Sequence, residues 1–384
     1  MATDLRELAD SADLEDLVSI DTYQEWQRAE GIPSMTGFYV DDLKTVELTP
    51  WPRKGGKGLF INLEGTGGVN DAHLIEIAPA GHSEPEHHLY EEMVYVVTGR
   101  GSTSVWYDED KKQTFEWGPG SVFAIPLNAW YQHFNGSGQQ GARYVSVTNA
   151  PTVLRLFHSQ EFVFDDMWQF RDRFAGEEQY FSGNGKLWRR TTRKVWESNF
   201  VPDVHGMALP ERPDRGGGGS NVHLGLAQNS MGAHISQFQV GMYKKGHRHG
   251  PGAHVVILGG QGFSLLWKDP NDEKKKCDWR PGAVVVPPAD WFHQHFNTGA
   301  APARYLALRM SGAHFRQTET VVRGEGTGVS LKKGGWQIEY EDEDPSIHKL
   351  FEGEVKDHGA TCMMKGFVAG CTGEVGLMQE GGDD

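Results

Sequence analysis

The chain has 384 residues, 37 basic against 52 acidic side chains and a formal net charge of −15. That length suits two cores rather than one, and the acidic balance argues against a nucleic-acid backbone or an anionic membrane as the main partner, leaving a small molecule. No apolar run approaches the roughly 18 residues of a membrane span, and three cysteines without framework spacing behind the leaderless start "MATDLRELADSADLEDL" predict a reduced cytoplasmic protein.

In chain order, "DLRELADSADLEDLVSI" (4–20) reads as a helix whose acidic start suits a helix N-terminus. From residue 37 the apolar residues alternate or form short runs such as "MVYVV", broken by Gly, Pro, Asn and Asp, which predicts many short strands of a sandwich or small barrel. "DDMWQFRDRF" (165–174) predicts a helix between two such regions, and "DPSIHKLFEGEV" (344–355) one in the tail, where "EYEDEDPSIH" reads as a solvated surface segment. "RKGGKG" (53–58) and "RGGGGS" (215–220) align with each other and read as flexible surface loops.

The two strand-rich regions are copies. "FEWGPGSVFAIPLNAWYQHFNGSGQQGARYVSVTN" from Phe115 overlays "CDWRPGAVVVPPADWFHQHFNTGAAPARYLALR" from Cys277, with Trp117 on Trp279, Gly120 on Gly282, Asn135 on Asn297 and Arg143 on Arg304. Upstream the register holds from "YVDDLKTVEL" at Tyr39 and "FVPDVHGMAL" at Phe200. Two long copies argue for two similar domains rather than a solenoid. The expected division is an N-terminal helical segment (1–36), a first domain (37–158), a helical linker (159–197), a second domain (198–319) and a tail (320–384).

The second copy spaces Gly241, His247 and His249, then Gly282, Pro288, Asp290, His293 and Asn297, in a way that resembles the two signature motifs of the cupin superfamily. The resemblance implies an all-β fold of two tandem jelly-roll β-barrels with flanking and linking helices, a bicupin, with histidines and a glutamate of each barrel converging on a divalent metal. Asp290 stands where a glycine is usual. The residues agree on their own terms. Alternate residues of a strand share a face, so His247 with His249, and His293 with His295, point into one interior, and neutral imidazoles are ready ligands for Fe, Mn, Ni, Cu or Zn. His247, His249 and His293 are the expected metal ligands; His295 is expected beside them as an acid/base or supporting donor. The glutamate position holds Ala253, and His254, one residue later, is either a fourth ligand or an outward-facing strand residue.

In the first copy Glu86, His88 and Glu92 take the motif positions and Tyr131 stands for His293. With His133 they could form a degenerate second site, or the barrel could serve stability or dimerisation without metal. Trp267, Trp291 and Arg304 are pocket candidates, although Trp267 and Arg304 have equivalents in Trp106 and Arg143 that point to packing. Cys277 reads as a packed thiol.

Three histidines without the glutamate resemble the gentisate- and salicylate-type ring-cleaving dioxygenases, themselves bicupins. That resemblance implies Fe(II) and O2 acting on a small aromatic hydroxy acid, with oxygen entering between the hydroxyl- and carboxyl-bearing carbons. Two other readings stay open: a Mn, Ni or Zn Lewis-acid isomerase, decarboxylase or hydrolase, and a non-catalytic binding or storage bicupin. Duplicated barrels bury edge strands against each other, so a homo-oligomer is expected.

Overall fold

The computed structural model describes residues 20–190, 193–212, 216–250, 252–269, 272–310 and 328–374. The protein is built mostly of β-sheet with a few helices, as the sequence predicts. Each copy opposes a large sheet to a small one, the jelly-roll arrangement. In the first copy the eight-stranded sheet runs Ser34–Met35, Gly56–Ile61, Asp71–Ile77, Ala142–Thr148, Glu92–Thr98, Val122–Ile125, Phe200–Val201, with Thr49–Trp51 beside Gly56–Ile61. Facing it are Trp130–Asn135, Gly101–Trp106 and Gln113–Trp117. The second copy's large sheet runs Lys186–Arg190, Arg193–Glu197, Ser220–Gly225, Met231–Phe238, Ala303–Met310, His254–Gly259, Val284–Val285, Tyr39–Val40, facing the strands His247–Arg248, Phe292–Asn297, Gly262–Trp267 and Lys275–Trp279.

The last strand of each large sheet comes from the other copy. Tyr39 and Val40 pair with Val285 and Val284, while Phe200 and Val201 pair with Phe123 and Val122. Each borrowed strand leads into the same turn: Asp42 accepts from Lys44 N (2.9 Å), and Asp203 from His205 N (2.7 Å). The turn rests on a glycine of the opposite barrel. Leu43 N donates to Gly282 O and Val204 N to Gly120 O, both at 2.9 Å. Gly120 and Gly282 have φ of +89° and +104°, and a Cβ on either would run into the carboxylate of Asp203 or Asp42. Only glycine meets both demands.

The outer faces of the two large sheets close on one shared core, in which Leu59, Leu74 and Val145 meet Val222, Ile235 and Leu306. Each such buried aliphatic contributes roughly 1.5–3 kcal/mol, so the barrels are welded rather than strung together. Glu91 adds a polar tie, accepting from the backbone N–H of Ser230 (2.9 Å) and Met231 (2.8 Å). The barrel interiors are separate, one around Phe60, Ile75 and Trp117, the other around Ile257, Trp279 and Tyr305.

The helices depart from expectation. All but the last residue of 4–20 lies outside the described residues; the first described helix is Thr22–Glu30, capped by Asp21. Between the copies the helices are Ala150–Phe157 and Gln160–Asp165, then a hairpin of Lys186–Arg190 and Arg193–Glu197. The expected helix over 165–174 is absent because Asn128 Nδ2 captures the carbonyls of Asp166 (2.8 Å) and Trp168 (2.9 Å), holding them out of any helical ladder. The tail helix is Pro345–Asp357, capped by Asp344; in the acidic stretch before it Glu341, Asp342 and Asp344 are exposed as expected, while Tyr340 anchors the segment. Tyr340 is buried and its hydroxyl donates to Tyr243 O (2.6 Å). No helix among the described residues is long and apolar enough to cross a membrane.

Candidate metal centre

His247 and His293 face each other across the pair formed by His247–Arg248 and Phe292–Asn297. Strand parity and the short "HRH" segment then bring His249 in beside them. One donor atom from each of His247, His249 and His293 lies within 4.8 Å of the others, with ring centroids 4.3–5.7 Å apart. Two of the tautomers follow from hydrogen bonds. The backbone oxygen of Lys245 is 3.0 Å from Nδ1 of His247, and that of Trp291 is 3.3 Å from Nδ1 of His293. A carbonyl only accepts, so Nδ1 carries the proton on both rings and Nε2 offers its lone pair. Ala253 leaves this centre without a carboxylate. Nitrogen-only donors in this number fit a divalent transition ion with open positions.

The turn that delivers His293 explains an irregularity of the motif. Asp290 has φ +62°, and its counterpart Asn128 +58°; this left-handed conformation suits glycine first and Asp or Asn next.

His254 does not join the cluster. Its strand partner is Leu308, a member of the shared core, so it faces the other barrel, where its Nδ1 lies 3.2 Å from Asn70 Nδ2. Burial pushes the His254 imidazole down to about 4.

His295 points inward, its Nδ1 2.7 Å from Ser264 Oγ, and Ser264 in turn accepts from Trp279 Nε1 (3.1 Å). His133 does the same with Thr103 (2.7 Å) and Trp117 (2.8 Å). Tyr305 and Tyr144 flank the two histidines at 5.4 and 4.8 Å. A unit repeated in both barrels is a framework for the interior wall. Burial, then His293 and Lys244, hold the His295 imidazole well below its ordinary range, so it is a neutral ring.

Trp267 pairs across the sheet with Phe292 and stacks on it at 5.7 Å. It therefore lies on the face opposite His293, in an aromatic cluster beneath the tail. Trp291 is half-buried against Phe38 at 6.0 Å. Arg304 reaches Val204 O (2.9 Å), Met207 O and Gln237 (3.1 Å), as Arg143 reaches Leu43 O (3.1 Å) and Val46 O (3.0 Å). Both arginines secure the segment after a borrowed strand and take no place in the pocket.

Sequence reasoning missed the cations that line this interior. Arg309 Nη1 donates to His249 Nδ1 (3.0 Å). That puts the neutral ring's proton on Nε2, the opposite tautomer to His247 and His293, so His249 takes a metal through Nδ1 only with Arg309 moved off it. Lys244, buried, donates to Ser236 Oγ (2.5 Å) and to the Tyr305 hydroxyl (3.2 Å). Burial, then His223, Arg309, Lys244 and Arg212, press the His234 imidazole well below its usual range. Imidazoles and cationic side chains thus share this interior.

The first barrel answers the same positions differently. Lys54, only 1% exposed, sends Nζ to Glu86 Oε1 (2.5 Å) and to the Tyr131 hydroxyl (3.3 Å). Tyr131 donates to Glu92 Oε2 (2.8 Å), which also lies 3.0 Å from His88 Nε2. Burial alone would raise the Glu92 carboxyl, but Lys54 and His88 outweigh it and hold it well below the usual range. An ammonium thus occupies the polar heart of this barrel, and His133 stands apart with Thr103.

No family model matches the chain. Among curated proteins, a 5-aminosalicylate 1,2-dioxygenase of a Comamonas species is 36% identical over 62 residues, or 16% of this chain and 15% of that protein. The match therefore spans well under two thirds of that relative. Among solved structures, oxalate decarboxylase of Bacillus subtilis at pH 4.6 overlays with a TM-score of 0.48 at 11% identity, over 76% of this chain and 83% of that one. The Lactobacillus farciminis oxalate decarboxylase formate complex gives 0.46 at 14% identity, over 71% and 85%.

Proposed function

We propose that the protein is a bicupin enzyme whose second barrel holds Fe(II) through His247, His249 and His293 and adds dioxygen to a small aromatic hydroxy acid. One observation carries the reading: three all-imidazole donors gathered beside Arg309 and Lys244. Neutral ligands leave the ion its full charge, and a ferrous ion with few protein ligands supplies a place to bring substrate oxygens and dioxygen together. The local likeness to a 5-aminosalicylate 1,2-dioxygenase supports this choice of substrate class.

The chain's own residues orient the substrate. Arg309 and Lys244 meet the carboxylate, paired charge to charge. Tyr305, accepting from Lys244, and the neutral His295 offer hydrogen bonds to the ring oxygens. The first barrel, with Lys54 where a metal would stand, serves as framework.

The test is oxygen uptake by protein reconstituted anaerobically with ferrous iron and mixed with salicylate, gentisate and 5-aminosalicylate. Consumption of dioxygen that depends on iron and falls to background in His249→Ala is expected. Turnover of the same acids without oxygen would replace this reading with Lewis-acid chemistry, and undiminished activity in His249→Ala would overturn the site.

A further inference from the structure

A second set of metal-type donors lies behind the barrel that carries the three histidines. His348 and Glu352 stand one turn apart on the helix Pro345–Asp357, and the chain beyond it folds back to place Cys362 and Cys371 against them. One donor atom of each lies within 4.8 Å of the others, and His348 and both cysteines are buried. The spacings are 3.1 Å from His348 Nε2 to Glu352 Oε1, 3.6 Å between the two Sγ atoms and 3.8 Å from Cys371 Sγ to Glu352 Oε1. A tetrahedral ion with bonds of about 2.0–2.3 Å sets its donors roughly 3.3–3.8 Å apart. The cysteines are free thiols.

The orientation of the imidazole supports the cluster. Tyr243 donates its hydroxyl hydrogen to Glu343 Oε1 (2.6 Å), so its oxygen accepts from His348 Nδ1 at 3.3 Å. Nδ1 therefore carries a proton, and the ring is held with its buried Nε2 facing Glu352 Oε1 at 3.1 Å. The 3.1 Å contact is that of an i,i+4 His–Glu pair, and the same two atoms serve as ligands when an ion takes the place of the shared proton. The Glu343–Tyr243–His348 chain is also the kind of outer support that holds a ligand imidazole in one tautomer.

We infer that His348, Glu352, Cys362 and Cys371 bind a structural Zn2+ ion that clamps the tail onto the outer face of the second barrel. Two thiolates with an imidazole and a carboxylate select a borderline-soft tetrahedral ion, and four protein donors close the site to substrate. The clamp connects to the first centre through the strand Phe292–Asn297. Gln294, between His293 and His295, points to the opposite face and donates to Glu343 Oε2 (2.6 Å) and Lys244 O (2.8 Å).

The experiment is elemental analysis of untagged protein purified without chelator, with cobalt substitution under reducing conditions. About one zinc per chain is expected in the wild type and in His249→Ala/His293→Ala, and none in Cys362→Ser/Cys371→Ser. Cobalt in the wild-type chain is expected to show thiolate charge-transfer absorption, a readout that does not require a variant to fold. Zinc retained by the cysteine variant, absence of that absorption, or a Cys362–Cys371 disulfide in protein from a reducing cytosol would each overturn the assignment. Because the three-histidine variants keep this ion, failure of the dioxygenase reading leaves the zinc result untouched.

Discussion

At the scale of single residues, the two barrels give opposite solutions to one electrostatic problem. Both enclose polar groups at equivalent positions, but the first neutralises Glu86 and Glu92 with Lys54, whereas the second gathers imidazoles beside cations. Lys54→Met strands the buried carboxylate of Glu92 and the half-buried one of Glu86 and is expected to cost on the order of 3–5 kcal/mol in chemical denaturation. Adding Glu86→Gln should recover part of that loss, and a null effect of the single change would mean that the ammonium is dispensable. In the second barrel, Arg309→Ala is expected to raise KM for the aromatic acid on the order of 10- to 100-fold, the value of a charge-assisted hydrogen bond, while iron content stays constant. Equal falls in kcat and iron content would instead make Arg309 a support for His249. Neither cation was legible in the sequence. Lys54 sits in "RKGGKG", whose glycines read as a surface loop, and a lone arginine near a strand end reads as solvated. The gathering of the three histidines was legible because motif spacing and residue parity both point to it. His254 was left ambiguous since a one-residue slip reverses a strand's faces, and only the pairing with Leu308 decides it.

Elements, in turn, are held by turns that the sequence marks only faintly. The repeat alignment placed Gly120 on Gly282 and Tyr39 on Phe200, yet nothing local to those residues says that each strand crosses to the other barrel. That pairing is a long-range choice, made by the sheet edges at Val122–Ile125 and Val284–Val285. Gly282→Ala, with φ +104° and the Asp42 carboxylate in the way, is expected to cost about 1–3 kcal/mol and to speed proteolysis near residue 42. Unchanged stability would show that the crossing turn can shift without loss. The helix mistaken over 165–174 has the same lesson: its composition suits a helix, but Asn128, 38 residues earlier, takes the carbonyls the helix would need. The four tail donors were equally hidden, because only His348 and Glu352 share a periodic element and the cysteines arrive by a loop.

For the molecule as a whole, the shared core and exchanged strands join two barrels of different chemistry into one cooperative unit. Calorimetry is expected to record a single transition. Removing the metal from the second barrel should lower its midpoint as one peak, since an ion at 100 times its Kd contributes about 2.7 kcal/mol. Two separated peaks, with only one moved by chelation, would show that the barrels unfold independently. The fold class and the duplication were readable from the alternating pattern and the repeat; the weld between the copies was not, because a core face and a joint face are equally apolar.

The reciprocal loan of strands has an ancestral meaning. Each half completes its sheet with a segment that the other half supplies by the same turn and the same glycine, which is the self-complementary logic of a two-fold dimer. Two separate single-barrel chains could have made the identical exchange. Within one chain the two barrels need not carry identical residues, and Lys54 in the first against the three histidines of the second shows that they do not.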